Sequence, residues 1–225
     1  MLRFVAETGS TNDDLLALAR NGAPEGLWLR AGRQTGGKGR QGRAWQSPPG
    51  NLYASALLRL RQGDPPAPTL ALVAAVALHE VAAIHAQGRD LRIKWPNDLL
   101  LDGGKLAGIL LERSGDAVVI GFGVNLARPP EGLDGPKAAL GEGVEPEAVL
   151  ETLAEAFARW LGRWRGEGLG PVRAGWLAAA HPIGTALSTS GGNGLFDGLD
   201  ESGALRLRRA DGNIHIVHAG DVFLI

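Results

Sequence analysis

The sequence contains no cysteine, a single methionine and a single tyrosine. The missing thiols exclude a disulfide scaffold, a thiolate zinc site and a cysteine nucleophile. With 225 residues, of which 44% are hydrophobic and 21% charged, the chain is long and apolar enough to bury a core without such cross-links. We therefore expect one substantial globular domain and a small second one.

An excess of charge of one sign is also missing. The 23 basic and 24 acidic residues give a formal net charge of −1, so composition gives no reason to expect nucleic acid or an anionic membrane as a partner. The first residues show no apolar segment with a small-residue cleavage site, which favours a cytoplasmic protein. Residues 69–86 approach the length of a membrane span, but His79, Glu80 and His85 within them favour a buried alanine-rich helix.

The pattern of apolar residues and turn formers predicts an α+β protein. A capped helix is predicted from Ser10 to Arg20, and further helices at 69–86 and within 146–180. Strands are predicted at 26–33, 51–60, 91–95, 99–101, 106–112 and 118–125. Residues 184–225 hold four or five short strand candidates and no helical stretch. We therefore predict a mixed β-sheet domain with flanking helices over residues 1–180, followed by a small antiparallel β-barrel over 181–225.

Positive charge is concentrated in one glycine-rich stretch. Gly26 through Gly63 contain no acidic residue but seven basic ones, namely Arg30, Arg33, Lys38, Arg40, Arg43, Arg59 and Arg61. Residues 34–50 within this stretch are called the basic loop, and its glycines let backbone N–H groups approach an anion closely. We expect the basic loop to be mobile without ligand, because it should make few stabilising contacts, and to fold over a small anionic ligand. A solvated flexible loop is the alternative interpretation.

Two familiar phosphate-binding motifs nearly match the basic loop. Gly37, Gly39 and Gly42 have the spacing of the dinucleotide fingerprint, but residues 44–51 do not open the helix that this fingerprint requires. Residues 32–38 spell most of a P-loop, but Gly39 stands where a hydroxyl side chain would hold Mg²⁺. Both interpretations are therefore rejected.

Lysine is scarce, and three of the four lysines lie in unusual motifs. The lysines are Lys38, Lys94, Lys105 and Lys137, and only the last lies outside such a motif. In residues 94–98 a strand ends near a proline, which leaves Lys94 with Asn97 or Asp98 at one rim. A plain turn with a surface lysine is the alternative. The lysines of these motifs are suited to phosphate oxygens as compact point charges.

Two further positions indicate a ligand nearby. Gly108 lies inside the strand that Lys105 opens, which indicates close approach by a ligand or another backbone. Asn125 ends a hydrophobic strand, where a buried amide needs a partner that a ligand could supply. Two pairs of histidines do not predict a metal site, because the spacing within each pair prevents it from sharing one ion. The pairs are His79 with His85 and His215 with His218.

Six motifs occur in one order over residues 7–126 and together closely resemble the biotin protein ligase family. They are Glu7-Thr-Gly-Ser-Thr-Asn12, the run from Gln34 to Trp45, Gly50-Asn-Leu-Tyr53, Lys94-Trp-Pro-Asn-Asp98, Lys105-Leu-Ala-Gly-Ile-Leu110 and Gly121-Phe-Gly-Val-Asn125. The resemblance implies a catalytic domain followed by a small SH3-like β-barrel. It also implies ATP with Mg²⁺, biotin as substrate, and a biotin carboxyl carrier protein as partner.

The resemblance further implies the chemistry and the residues. Biotin is activated to biotinyl-5′-AMP and passed to a carrier lysine. Arg40, Lys105 and Lys94 are expected to be catalytic. The biotin site is expected to comprise Ser10, Thr11, Asn12, Gln34, Lys38, Gly39, Arg40, Lys105 and Gly108. The ATP site is expected to comprise Arg40, Trp45, Lys94, Asn97, Asp98, Lys105 and Asn125. The Mg²⁺ ligands stay unassigned. Lys38 departs from the family, which often has arginine there.

Other expectations concern partners. Family members that repress transcription carry an N-terminal DNA-binding domain, and this sequence reaches the Ser-Thr-Asn motif at residue 10, so we expect no sequence-specific DNA binding. A carrier domain is expected to pair with an exposed sheet edge, and the same device would form a homodimer. The alternative functions are a lipoate or octanoate ligase of related fold, and a non-catalytic nucleotide- or nucleic-acid-binding module.

Overall fold

A computed structural model of the chain describes residues 1–131 and 135–225, which form two β-sheets and four α-helices. The strands of the first sheet are β1 (Leu2–Thr8), β2 (Trp28–Gln34), β3 (Leu52–Arg59), β4 (Leu91–Lys94), β5 (Asp98–Leu101), β6 (Gly104–Ser114) and β7 (Ala117–Val124). They lie in the order β1-β2-β3-β7-β6-β5-β4. Strands β1 and β2 are parallel, and all other neighbours in this sheet are antiparallel.

Helices cover both faces of the first sheet. They are α1 (Thr11–Arg20), α2 (Leu70–Ala86), α3 (Pro146–Glu167) and α4 (Leu169–Ala179). Side chains alternate along β3, so that Ala56 and Leu58 face the large core under α2 and α3, whereas Leu57 faces a smaller core under α1. Helix α1 begins where the sequence predicts, because the Ser10 hydroxyl accepts a hydrogen bond from the Asp13 backbone N–H at 3.4 Å.

The alanine-rich helix α2 is a core element. By length and composition, Ala67–Ala86 could cross a membrane, but 61% of its most apolar window is buried inside the protein. Its residues pack into the large core, and the Trp164 indole of α3 donates to Thr69 Oγ1 at 2.8 Å just before the helix begins. The predicted buried helix is therefore confirmed.

The second sheet is antiparallel and closes one end of the molecule. Its strands are β8 (Ala186–Thr189), β9 (Gly192–Leu199), β10 (Leu205–Arg208), β11 (Ile214–Val217) and β12 (Val222–Leu224), in the order β11-β10-β9-β8-β12. Leu187, Phe196 and Leu205 belong to the same continuous core as the first sheet. The predicted boundary near residue 180 between domains 1–180 and 181–225 therefore stays a prediction, although α4 ends at Ala179.

Strand β1 is the element that the sequence does not predict. Most of its residues are exposed, and it lies at the edge of the first sheet with only β2 as a neighbour. An edge strand with two largely exposed faces lacks the apolar alternation that marks a half-buried strand. The strands and helices that the sequence does predict are present, with ends shifted by a few residues.

Glu25 lies just before β2 and joins this part of the chain to α3 through a network of ion pairs. Arg165 donates to both carboxylate oxygens of Glu25 at 2.8 Å, and Arg61 donates at 2.8 Å. The Arg59 backbone N–H donates at 2.9 Å. The Arg165 hydrogen bonds, with the other donors, lower the pKa of Glu25 from 4.5 to about 2 against the opposing effect of burial.

We predict that Glu25→Gln lowers the free energy of unfolding at neutral pH. The variant's free energy of unfolding should also fall less than that of the unaltered protein as the pH is lowered. Because the pKa is lowered on folding, the carboxylate's contribution is full above about pH 4.5 and is lost as the pH falls toward 2. The loss at pH 7 should be about 2 kcal/mol, since Arg165 keeps a neutral acceptor only. Urea unfolding at pH 7, 4 and 2.5 measures it.

The matched control is Glu167→Gln, which removes the exposed partner of Arg163 on the same helix α3. This pair is solvent-exposed, so its loss should cost less than about 0.5 kcal/mol at any pH. A Glu25→Gln deficit that is equally large at pH 7 and pH 2.5 would contradict the assigned role of the carboxylate.

Candidate active site

A cavity of about 610 Å³ lies between the first sheet, the basic loop and strand β12. Every residue predicted for the site lines this cavity. These residues are Ser10, Thr11, Asn12, Gln34, Lys38, Gly39, Arg40, Trp45, Lys94, Asn97, Asp98, Lys105, Gly108 and Asn125. The structure therefore brings the predicted site residues together, while the individual roles expected for them stay predictions.

One end of the cavity is lined by neutral polar side chains, which belong to a partly buried hydrogen-bond network that ends at the Glu112 carboxylate. The Thr11 backbone N–H and hydroxyl both donate to Gln34 Oε1, at 2.9 and 3.1 Å, and the Thr11 hydroxyl lies 2.7 Å from Ser55 Oγ. Ser55 in turn donates to Asn12 Oδ1 at 2.6 Å. The Asn12 amide donates to Glu112 Oε2 at 2.7 Å. Each side chain is held by the next, so the cavity is lined by pre-oriented donors and acceptors.

Ser55 and Glu112 are members of this network that the sequence analysis missed. Ser55 is fully buried within the apolar strand β3, and a lone polar residue in such a strand is the available signal. Glu112 lies at the far end of β6 and belongs to no motif. Neither residue is near Asn12 in sequence, so their contact depends on the order of the strands.

Glycines in β6 and β7 let side chains lie directly on the sheet. A Cβ at Gly121 would stand 2.4 Å from Asn12 Oδ1, and one at Gly123 would stand 2.4 Å from the Trp45 ring. Gly108 is the register partner of Gly123, and its Cβ would lie 3.0 Å from the same indole. Gly108 does permit a close approach, but the approaching group is the Trp45 side chain, and not the ligand or second backbone that the sequence predicts.

The other end of the cavity is cationic. Asp98 is shared by two lysines, with Oδ1 2.7 Å from Lys105 Nζ and Oδ2 3.5 Å from Lys94 Nζ. Lys94 also donates to the Val222 carbonyl at 3.0 Å. The turn between β4 and β5 is therefore a lysine and carboxylate cluster at one rim, as the motif predicts. Since Asp98 already balances two ammonium groups, it is poorly suited to be a principal Mg²⁺ ligand.

The basic loop folds over the cavity as a short hairpin. Its backbone closes through Gly39 N–H, which donates to the Arg43 carbonyl at 2.7 Å. Arg40 reaches across to two other elements, donating to Asn97 Oδ1 at 3.2 Å and to the Gly220 carbonyl at 3.0 Å. The expectation of few contacts is wrong for this conformation of the loop, because its arginines find acceptors on both sheets.

Asp221 is a further residue that the sequence analysis missed. Its Oδ1 lies 2.9 Å from the Arg43 guanidinium and 3.7 Å from that of Arg40. It comes just before β12, about 180 residues after the basic loop, and no motif marks it. One carboxylate of the second sheet therefore balances two arginines of the basic loop.

Two predicted site residues are engaged with protein partners. Lys38 Nζ lies 2.7 Å from Asp13 at the start of α1, and this hydrogen bond raises the pKa of Lys38. The Asn125 amide nitrogen donates to the Lys105 carbonyl at 3.2 Å and to the Ala138 carbonyl at 3.1 Å. The backbone, and not a ligand, supplies the partners of the Asn125 N–H groups, so this part of the sequence prediction is corrected.

Comparison with known proteins places the chain in a family. A sequence model of the Biotin/lipoate A/B protein ligase family matches residues 6–125, more than half of the chain, and one of the Biotin protein ligase C terminal domain matches residues 193–225. This chain belongs to the biotin/lipoate A/B protein ligase family, as a biotin protein ligase. It is therefore an enzyme, and its second sheet is the SH3-like C-terminal unit of that family.

Named relatives agree with this membership. The Biotin--[acetyl-CoA-carboxylase] ligase of Paracoccus denitrificans is 42% identical, covering 98% of this chain and 99% of the relative. The Bifunctional ligase/repressor BirA of Bacillus subtilis is 32% identical, covering 96% of this chain and 71% of the relative. The biotin protein ligase from Aquifex aeolicus, solved with biotin and ATP, superposes with a TM-score of 0.88 at 24% identity, covering 100% and 99% of the two chains.

We predict that Gly121→Ala destabilises this biotin protein ligase by about 2 kcal/mol, because the new methyl group must displace the hydrogen-bonded Asn12 amide. The same substitution in an Asn12→Ala background should cost less than about 0.5 kcal/mol, since the obstructing amide is gone. Urea unfolding of the four proteins measures the coupling.

Gly162→Ala on α3 is the matched control, because no atom lies within 4 Å of the added Cβ. It should be neutral or slightly stabilising. If Gly121→Ala costs the same in both backgrounds, Asn12 is not the obstacle and the close packing described for it is incorrect.

Proposed function

We propose that this ligase activates biotin with ATP to biotinyl-5′-AMP and pyrophosphate, and then transfers the biotinyl group to a lysine of a biotin carboxyl carrier protein. The observation that supports this most directly is the division of one cavity into a neutral polar end and a cationic end. Biotin has a neutral ureido ring at one end and a carboxylate at the other, so it matches that division.

The neutral end suits the ureido ring. A ureido group presents two N–H donors and one carbonyl acceptor, and the Thr11 hydroxyl with the Asn12 and Gln34 amides can both donate and accept. These side chains are already oriented by hydrogen bonds to one another and to Ser55. A lipoyl or octanoyl chain offers no such groups, so binding it would leave this buried network unpaired. The polar end therefore favours biotin over the lipoate and octanoate alternatives.

The cationic end suits two anions that must meet. In the proposed first step a carboxylate oxygen of biotin attacks the α-phosphorus, forming a C–O–P anhydride while the bond to the β-phosphate oxygen breaks. Two negatively charged reactants repel each other, so Arg40 and Lys105 would hold them together and stabilise the charge that develops at phosphorus. Lys94 and Asn97, at the same rim, would face the departing phosphates. Trp45 and Asn125 are proposed at the adenosine end.

Magnesium is expected with the nucleotide, bound mainly through phosphate oxygens and water. Among residues 1–131 and 135–225, no three His, Asp or Glu side chains are grouped closely enough to hold a metal ion. Asp98 is balanced by two lysines and Asp221 by two arginines. No step of the mechanism proposed here is routed through a protein-bound ion.

The second step needs the adenylate to survive until the carrier arrives. The carrier's neutral lysine amine attacks the acyl carbon to form an amide, and the bond from that carbon to the phosphate oxygen breaks with its electron pair going to the departing AMP. The proton that the amine nitrogen loses is taken up by AMP or by water. The basic loop, closed by Arg40 and Arg43 onto the second sheet, would keep water from the same carbon. That the adenylate further orders this loop stays a proposal, although the loop's arginines already contact Asn97, Gly220 and Asp221.

The exposed edge strand β1 is a suitable place for a carrier domain. Its outer N–H and C=O groups have no sheet neighbour, and Leu2 and Phe4 are exposed beside them. The same edge could join two copies in a homodimer. A cytoplasmic location and the lack of sequence-specific DNA binding stay predictions of the sequence.

The test is incubation of the protein with ATP, Mg²⁺ and radiolabelled biotin, which should yield labelled biotinyl-5′-AMP. Arg40→Gly and Lys105→Ala should each lower biotin-dependent ATP–pyrophosphate exchange by about 100-fold or more, because each removes a cation from the reacting groups. Arg113→Gln, which removes an exposed charge from the far end of β6, is the control and should leave exchange unchanged.

Two results would count against the proposal in different ways. Absence of any labelled adenylate with the unaltered protein would refute the proposed reaction. Normal exchange rates in both Arg40→Gly and Lys105→Ala would refute the roles given to these two residues while leaving the reaction in place.

A further inference from the structure

Lys137, which no motif singles out, lines the same cavity as the other three lysines. It lies in the stretch of chain between β7 and α3, beyond the last of the family motifs. All four lysines of a protein that otherwise uses arginine therefore surround one cavity. Because lysine is scarce in this sequence, the presence of all four lysines at this cavity requires an explanation in the properties of the cavity.

The backbone fixes Lys137 beside Lys105. The Lys105 N–H donates to the Pro136 carbonyl at 2.9 Å, and the Ala138 N–H donates to the Lys105 carbonyl at 3.0 Å, which makes Lys105 and Lys137 partners in a parallel bridge. Bridge partners lie about 4.8 Å apart and direct their side chains to the same face. The two lysines therefore leave the backbone side by side, and both residues line the cavity.

Two further features hold this segment in place. The Asn125 amide donates to both the Lys105 and the Ala138 carbonyls, so that one side chain binds both backbones of the bridge. Gly104 permits the approach, because a Cβ there would stand 2.8 Å from the Lys137 carbonyl carbon. The pairing does not use the Lys137 side chain, whose ammonium donates to the Gly135 carbonyl at 3.1 Å.

The charge around the cavity is strongly unbalanced. Its described lining has two carboxylates, Asp98 and Asp221, against six cations, namely Lys38, Arg40, Arg43, Lys94, Lys105 and Lys137. Asp98 lies between Lys94 and Lys105, and the backbone bridge places Lys137 next to Lys105. A ligand with several adjacent negative charges would relieve the repulsion among these cations.

We infer that Lys137 binds the triphosphate of the nucleotide beside Lys105, as a phosphate-binding residue of this chain. The inference rests on the proposed function, because it takes ATP as the nucleotide. It assigns Asn125 a positioning role, since its amide fixes the backbone pair from which the two lysines extend. A lysine that merely covers the loop surface is the competing interpretation.

The test is biotin-dependent ATP–pyrophosphate exchange measured against ATP and biotin separately. Lys137→Gln should raise the KM for ATP about tenfold, as expected for one lost charge-assisted contact, while kcat and the KM for biotin stay within about twofold. Lys137→Arg keeps the charge and should keep the KM for ATP within about threefold of the unaltered protein. Raising the salt concentration should weaken ATP use less in Lys137→Gln than in the unaltered protein.

Arg113→Gln again removes one positive charge elsewhere on the surface and should change neither KM. An unchanged KM for ATP in Lys137→Gln, with normal exchange by the unaltered protein, would overturn the inference and leave the proposed function standing. Equal increases in both KM values with a lower melting temperature would also overturn it, since they indicate a structural role. Absence of exchange in the unaltered protein would instead refute the proposed function.

Discussion

Six cationic side chains around a single cavity repel one another, and much of this structure is arranged to hold them there. Asp98 balances Lys94 and Lys105, Asp221 balances Arg40 and Arg43, and Asp13 balances Lys38. Because Asp98 and Asp221 are each shared by two cations, these four cations are stabilised without being fully neutralised. The positive charge that remains is what an anionic reactant pair would meet.

This arrangement explains why the two sheets share one core. Asp221 and the carbonyls of Gly220 and Val222 belong to the second sheet or its approach, whereas the cations that they contact come from the first sheet and the basic loop. Asp221 and these two carbonyls could not stay within hydrogen-bond distance of the cations if the two sheets moved independently. The continuous core through Leu187, Phe196 and Leu205 supplies that rigidity.

Much of the fold and of the site was predictable because the signals are local. Helix α1 has its cap, β6 and β7 have their apolar runs, and five of the six motifs contribute residues that line one cavity. What was missed depends on contacts between distant segments. Ser55 and Glu112 meet Asn12 only through strand order, and Asp221 meets the basic loop only through docking of the second sheet.

Local reasoning also erred where a tertiary partner replaced a ligand. Asn125 was interpreted as a buried amide whose partner a ligand could supply, but backbone carbonyls of Lys105 and Ala138 accept its N–H groups. Strand β1 was missed because an exposed edge needs no apolar alternation. In both cases the partner belongs to another segment of the chain, so the sequence pattern of the segment itself does not predict the contact.

The most direct test of the central claim is a crystal structure of the protein with biotin and a non-hydrolysable ATP analogue. The biotin carboxylate should lie within about 3.5 Å of the α-phosphorus, with the Arg40 guanidinium and the Lys105 ammonium hydrogen-bonded to these two groups and the ureido ring against Thr11 and Asn12. Biotin bound outside this cavity, or a basic loop turned away from both ligands, would contradict it.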